Sequence, residues 1–172
     1  LMITFHMPGQ SVNAINGINL RLGKGESIGI GGESGCGKSV TVSAIMGLLQ
    51  EQGEIENGKI LYRTSSGTVL DVLKLKNKDP ILRDLRRNEM SMIFQEPSAA
   101  LSPLHTVYKQ MAEAVAGGDN MKKAEKLKRC TELLGLVGIR NPERWINEYP
   151  FRLSGGMAQR AMIAQALAKE PQ

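Results

Sequence analysis

The sequence predicts an α/β fold carrying a helical insertion, and three observations support it. A glycine loop ending in Lys38-Ser39 sits between a short apolar run and a helix-forming run. Strand-like runs punctuated by turn residues occur up to about position 94, and from about Thr106 the apolar spacing becomes helical. Strands and helices mixed around the loop, followed by an all-helical stretch, divide the chain into three parts. These are a core with the loop over 1–95, a helical subdomain over 96–156, and a helix returning to the core over 157–172.

Leu1–Phe5 opens as a strand, and Ile18–Leu22 alternates as a second. Gly23-Lys24-Gly25-Glu26 is turn chemistry leading into Ser27–Ile30, read as a short buried strand. Val40–Leu49 is apolar enough for a packed helix. Lys59–Tyr62 and Thr68–Leu70, separated by Ser65-Ser66-Gly67, form a small hairpin. Asp79-Pro80 starts a helix to about Asn88 with the proline in its first turn. Met90–Phe94 is a compact apolar run, read as a buried strand. Val107–Val115 is a helix, and so is Lys122–Leu134, with Leu127, Cys130, Leu133 and Leu134 on one face. A short helix near Glu143–Ile146 follows Asn141-Pro142, and Met157–Lys169 is an Ala-rich last helix.

The bulk numbers narrow the classes. At 172 residues the chain is long enough to bury a core. No run approaches the roughly 18–20 apolar residues of a membrane-spanning helix. Cys36 and Cys130 are isolated, which is no disulfide framework and fits a reducing setting. The net charge of +5 is modest and its charges read as scattered; Lys122-Lys123, Lys126 and Lys128-Arg129 form a solvated helix face, so no nucleic-acid partner is expected.

Gly32-Glu33-Ser34-Gly35-Cys36-Gly37-Lys38-Ser39 fits G-x-x-x-x-G-K-[ST] in its strand–loop–helix setting. The glycines let the backbone curl, so that N–H groups from about Gly35 to Ser39, and on to Val40, face one anion. The positive end of the following helix adds to that field. Lys38 is placed to reach the β/γ-phosphates and the Ser39 hydroxyl to ligate Mg²⁺. ATP is the expected ligand, and Cys36 is either a small tolerated residue or a redox-sensitive thiol. A second anion site is read at Leu153-Ser154-Gly155-Gly156-Met157, where a serine and two glycines precede a helix. Alone it would be an ordinary N-cap.

The phosphate loop, Gln95 after an apolar run and Leu153–Met157 together resemble the nucleotide-binding subunits of ATP-binding-cassette (ABC) transporters, over essentially the whole chain. The resemblance implies a P-loop NTPase fold of the ABC type and ATP hydrolysis coupled to transport. It makes Gln95 the Q-loop glutamine and Leu153–Met157 the signature motif. Gln95 and Lys38 are the catalytic candidates, with Ser39 and Gln95 at Mg²⁺. It also implies a head-to-tail dimer in which Ser154, Gly155 and Gly156 meet the γ-phosphate of the partner's ATP.

Longer runs, Glu33–Ser39 with Ala44–Leu49 and Met92–Pro97 with Leu101–Val107, resemble the oligopeptide/dipeptide/nickel importer group. Peptide uptake is the implied cargo, with nickel or oligosaccharides as the alternative. The implied partners are membrane-spanning permeases, a second ATPase subunit and, indirectly, an extracytoplasmic binding protein. The implied place is the cytoplasmic face of the membrane. A soluble ABC protein of DNA repair or translation is disfavoured, because the segment between Ser39 and Leu153 is too short for a long coiled coil.

The family's adenine-stacking aromatic has no clear counterpart, and Phe5 and His6 both remain open for it. Neither His6 nor His105 stands where the family's switch histidine would. By the resemblance, the stretch after Ala164–Gln172 would carry the Mg²⁺-binding aspartate and the catalytic glutamate. The chain is therefore read as truncated before them, unstable alone and without hydrolysis, which leaves a catalytically silent nucleotide-binding module as a further alternative.

Overall fold

The computed structural model describes residues 1–115 and 120–171 and divides the chain into two compact units, Leu1–Arg83 and Asp84–Gln172. Positions 116–119, within the expected helical subdomain, and Gln172, at the end of the returning helix, lie outside the described residues.

In the first unit, strands β1 (Met2–Met7) and β2 (Gln10–Asn16) form an antiparallel hairpin around Pro8-Gly9, with Gly9 at φ 83°. Strand β3 (Gly53–Asn57) pairs antiparallel with the other side of β1, giving the order β2-β1-β3. The inner face buries Ile3 and Ile15 against Ala44 of helix α1 (Lys38–Ile45), with Phe5, Val40 and Ile55 packed around them. A second hairpin joins β4 (Leu61–Arg63) to β5 (Val69–Asp71), Leu61 opposite Asp71 and Arg63 opposite Val69. Helix α2 (Pro80–Asn88) keeps its expected limits.

Several strand expectations need correcting. The second strand is Gln10–Asn16, and Ile18–Leu22 is irregular, with Leu20 and Leu22 exposed. Ser27–Ile30 forms no ladder among the described residues, and Ile28 and Ile30 are 48% and 41% exposed. Met90–Phe94 is likewise unpaired, Met90 buried but Ile93 and Phe94 exposed. The reason is common to all three runs. A strand exists only where a neighbour accepts and donates its backbone hydrogen bonds, and the ladders present join β1–β3 and β4–β5 only. Conversely β3 has one apolar residue, Ile55, between two glutamates, so its alternation is too weak to read.

Helix α1 is also shorter than its apolar run. Gly47 at φ 63° ends it, with Leu48 N–H donating to Ser43 C=O at 2.7 Å and Gly47 N–H to Ala44 C=O at 3.0 Å. That pair of bonds is a Schellman cap, which uses glycine's access to the left-handed region.

The second unit contains α3 (Pro97–Ala100), α4 (Val107–Ala114), α5 (Lys123–Leu136), α6 (Pro142–Trp145) and α7 (Gly155–Leu167). The expected face of α5 is the buried one: Cys130, Leu133 and Leu134 lie against Met111 of α4, Ile146, and Ala161 and Ala164 of α7. The alanines of α7 let the helices approach closely. Burial pushes the Cys130 thiol up to about 11, against a smaller opposing pull from Lys126 and Arg129. Ordering comes from Gln110, 8% exposed, whose Oε1 accepts from Ser102 N–H at 2.7 Å. Its Nε2 donates to Ser102 C=O at 3.0 Å and His105 C=O at 2.9 Å, fixing the loop before α4.

Hydrogen exchange separates ladder from unpaired segment. In the 172-residue chain the amides of Ser27–Ile30 are expected to exchange about a hundredfold faster than those of β1, as unladdered backbone does. Equal protection would overturn the assignment of Ser27–Ile30 as unpaired.

Candidate functional site

The phosphate loop belongs to the first unit and is held from below. Gly37, buried at φ 93°, is the N-cap of α1, and a Cβ there would collide with the carbonyl oxygen of Ala14 on β2. Only glycine satisfies both conditions. Thr41, buried one turn into α1, ties the same residue from the other side: its N–H and its hydroxyl each donate to Gly37 C=O at 2.9 Å. Ala14 and Thr41 are therefore positioning residues that the motif pattern does not name. The repeated hydroxyl spacing of Ser39 and Thr41 was the available signal for Thr41; Ala14 had none.

Gly32 to Cys36 are exposed at the start of α1, with the Cys36 N–H donating to Glu33 C=O at 3.4 Å. Lys38 folds back over this loop. Its ammonium donates to Gly32 C=O at 2.8 Å and Glu33 C=O at 2.6 Å and lies 3.3 Å from Cys36 Sγ. Gly32 is closely approached, since a Cβ there would stand 2.6 Å from Cys36 Sγ. Ser34 is exposed in the turn, Val40 packs on the Ile3–Ile15–Ala44 core, and the Ser39 hydroxyl is exposed with no protein partner among the described residues. The result is a lysine ammonium and a free hydroxyl on an exposed glycine loop at the start of α1, a chemistry suited to a phosphate chain with a hard cation.

The strand side of the first unit answers one open choice by packing. Phe5 is part of the apolar core, whereas His6 is exposed and held, Nε2 to Glu54 Oε2 and Nδ1 to Ser11 Oγ, each at 3.0 Å.

The other predicted residues lie in the second unit. Gln95 is exposed at a bend ahead of α3, following the unpaired run instead of a strand. Leu153 and Met157 pack on the helical core. Ser154 is the N-cap of α7, its Oγ accepting from Met157 N–H at 3.3 Å. The helix starts at Gly155, two residues earlier than expected, so both glycines are in its first turn. A Cβ on Gly155 or Gly156 would meet nothing within 4 Å, and neither has a positive φ. Neither the fold nor the backbone requires glycine there, and alanine would favour the helix by about 1 kcal/mol per position in a helix interior.

A family profile described as "ABC transporter" matches residues 15–172. The chain is 44% identical over 160 residues to a probable peptide ABC transporter ATP-binding protein of Sinorhizobium fredii, covering 92% of this chain and 46% of that protein. It is 42% identical over 172 residues to the oligopeptide transport ATP-binding protein OppD of Bacillus subtilis, covering 99% of this chain and 46% of that one. The chain thus spans about half the length of the curated relatives it matches. Among solved structures it resembles dimeric MJ0796, a bacterial ABC transporter cassette, at a TM-score of 0.77 and 29% identity, over 99% of this chain and 68% of that one. The post-hydrolysis MJ0796 dimer bound to ADP and Pi matches at a TM-score of 0.76 and 28% identity, over the same shares of 99% and 68%.

The closeness of Cys36 Sγ to the Lys38 ammonium has a direct consequence. Complete alkylation of Cys36 is expected to weaken ATP binding by about tenfold or more, equivalent to ~1.4 kcal/mol. Fluorescence titration with an ATP analogue checks this, and unchanged affinity after full modification would overturn it.

Proposed function

The chain belongs to the ABC transporter family, and from that premise we propose that it is the ATP-binding part of an importer subunit that couples ATP binding and hydrolysis to peptide uptake. The observation that carries the reading is the pair Gly155-Gly156, helical glycines with open space beside them and no internal reason to be glycine. Such a surface suits the close approach of another molecule's phosphate. The peptide cargo is supported by the names of the relatives, which are peptide and oligopeptide transport proteins.

In this reading the ammonium of Lys38 exchanges its two loop carbonyls for the β/γ-phosphates, while amides from Gly35 to Val40 hold the remaining oxygens. Mg²⁺ fits the loop, since Ser39 Oγ is a hard ligand without a protein partner among the described residues, and the family resemblance adds Gln95 of the second unit as a further ligand. The metal would neutralise charge on the phosphates when bound.

Ser154, Gly155 and Gly156 act on a second subunit's ATP in a head-to-tail dimer. There the positive end of α7 faces the γ-phosphate and the Ser154 proton is free to donate outward. Gln95 carries the state of the site toward permease subunits from the cytoplasmic face of the membrane, while an extracytoplasmic binding protein brings cargo to those permeases from the other side. The ammonium, hydroxyl and amides of the loop hold phosphate without serving as a base for water. In the silent-module reading these 172 residues bind ATP and turn it over negligibly.

Two variants separate the two walls of the site. Lys38→Ala is expected to lower ATP affinity by about tenfold or more. Gly156→Asp in the whole subunit retains that affinity and loses ATP-induced dimerisation on gel filtration. Dimerisation that survives Gly156→Asp would overturn the head-to-tail assignment. For the 172-residue chain, phosphate release is expected at the level of its Lys38→Ala variant, and turnover removed by that substitution would refute the silent reading.

A further inference from the structure

One stretch of the first unit is strongly basic. Between positions 59 and 83 stand six cations, Lys59, Arg63, Lys74, Lys76, Lys78 and Arg83, against two carboxylates, Asp71 and Asp79: a net +4. All six cations are exposed, and none enters an ion pair among the described residues. Both carboxylates are used locally. Asp71 Oδ1 accepts from Ile60 N–H at 3.2 Å and Leu73 N–H at 3.3 Å, and Asp79 Oδ1 accepts from Ile81 N–H at 2.9 Å. Asp71 and Asp79 offset two of the six charges, and Glu56 stands with Lys59 and Lys74 at one cavity, so the stretch stays net positive.

Aliphatic side chains are interleaved with these cations. Leu61 is 64% exposed, Val69 49% and Ile81 47%. The register pairs Arg63 with Val69 and Leu61 with Asp71, so Leu61, Arg63 and Val69 share the outward face of the β4–β5 hairpin. Lys59 and Lys74 line one open cavity of about 340 Å³ beside it. Tyr62, half-buried on the opposite face, is the only aromatic between positions 59 and 83.

We propose that this stretch of the first unit, the β4–β5 hairpin with the segment Lys74–Arg83, docks directly on an anionic phospholipid surface. Lysines attract the headgroup phosphates, and Leu61, Val69 and Ile81 enter the shallow interfacial layer. Single-stranded nucleic acid is gripped chiefly by aromatic stacking, and the apolar groups on the outward face are aliphatic. This goes beyond the transport reading and stands without it, because the contact uses lipid and no permease.

Co-sedimentation of the purified full chain with phosphatidylcholine vesicles, with and without phosphatidylglycerol, tests it. Binding is expected only with phosphatidylglycerol, falling steeply with added salt. Neutralising Lys74, Lys76 and Lys78 together (to Gln) should weaken it by about fivefold per lysine, on the order of a hundredfold in all. ATP affinity, read in parallel, should stay unchanged and so report an intact fold. Ile81→Gln should weaken vesicle binding severalfold without altering the salt dependence. Equal binding to neutral vesicles, no loss on triple neutralisation, or an unaltered Ile81→Gln variant would overturn the proposal. Tighter binding to a single-stranded oligonucleotide than to phosphatidylglycerol vesicles at the same salt would replace lipid by nucleic acid.

Discussion

The backbone of Gly37 rests against the carbonyl of Ala14, and the geometry of the phosphate loop follows from that approach. Without a side chain at 37, the start of α1 settles onto β2, and the Gly37 carbonyl is then claimed twice by Thr41. This fixes where the first amides of the helix point. Lys38, the next residue, is thereby set to fold back over Gly32 and Glu33. A three-stranded antiparallel sheet thus acts as the base on which an anion site is oriented. The residues below the loop contribute by placement alone.

The second anion-facing feature is built on the opposite principle. Gly37 is glycine because its own fold leaves no room, and Gly35 because its φ is 81°; the turn at Gly155-Gly156 is glycine-rich although its fold leaves ample room. One glycine set answers an internal constraint and the other answers none. In the proposed reading that contrast separates a site that holds its own ligand from a surface shaped for another molecule's.

Much of this was legible in the sequence because local rules decide it. The phosphate-loop pattern, the proline starting α2 and the spacing of Cys130, Leu133 and Leu134 on α5 each depend on neighbours a few residues away. The strands were less legible because pairing is non-local. Ile28, Ile30, Ile93 and Phe94 have strand composition, yet composition supplies no partner. Gln10–Asn16 and Gly53–Asn57 are polar, and they are strands because β1 lies between them. Ala14's role was invisible for the same reason. It comes from where a carbonyl sits in three dimensions, with no trace in the residue type.

The two cysteines fall one to each unit, and their settings are opposite: Cys36 is exposed, and Cys130 has no accessible surface and a thiol held at about 11 by burial. A thiolate reacts, and a buried thiol does not until its surroundings open. The chain therefore carries a built-in opening clock. A short pulse of reagent marks Cys36 in every molecule and Cys130 only in those whose helical unit has come apart at that instant. The ratio of doubly to singly marked chains, read by mass, counts the open population without a denaturant.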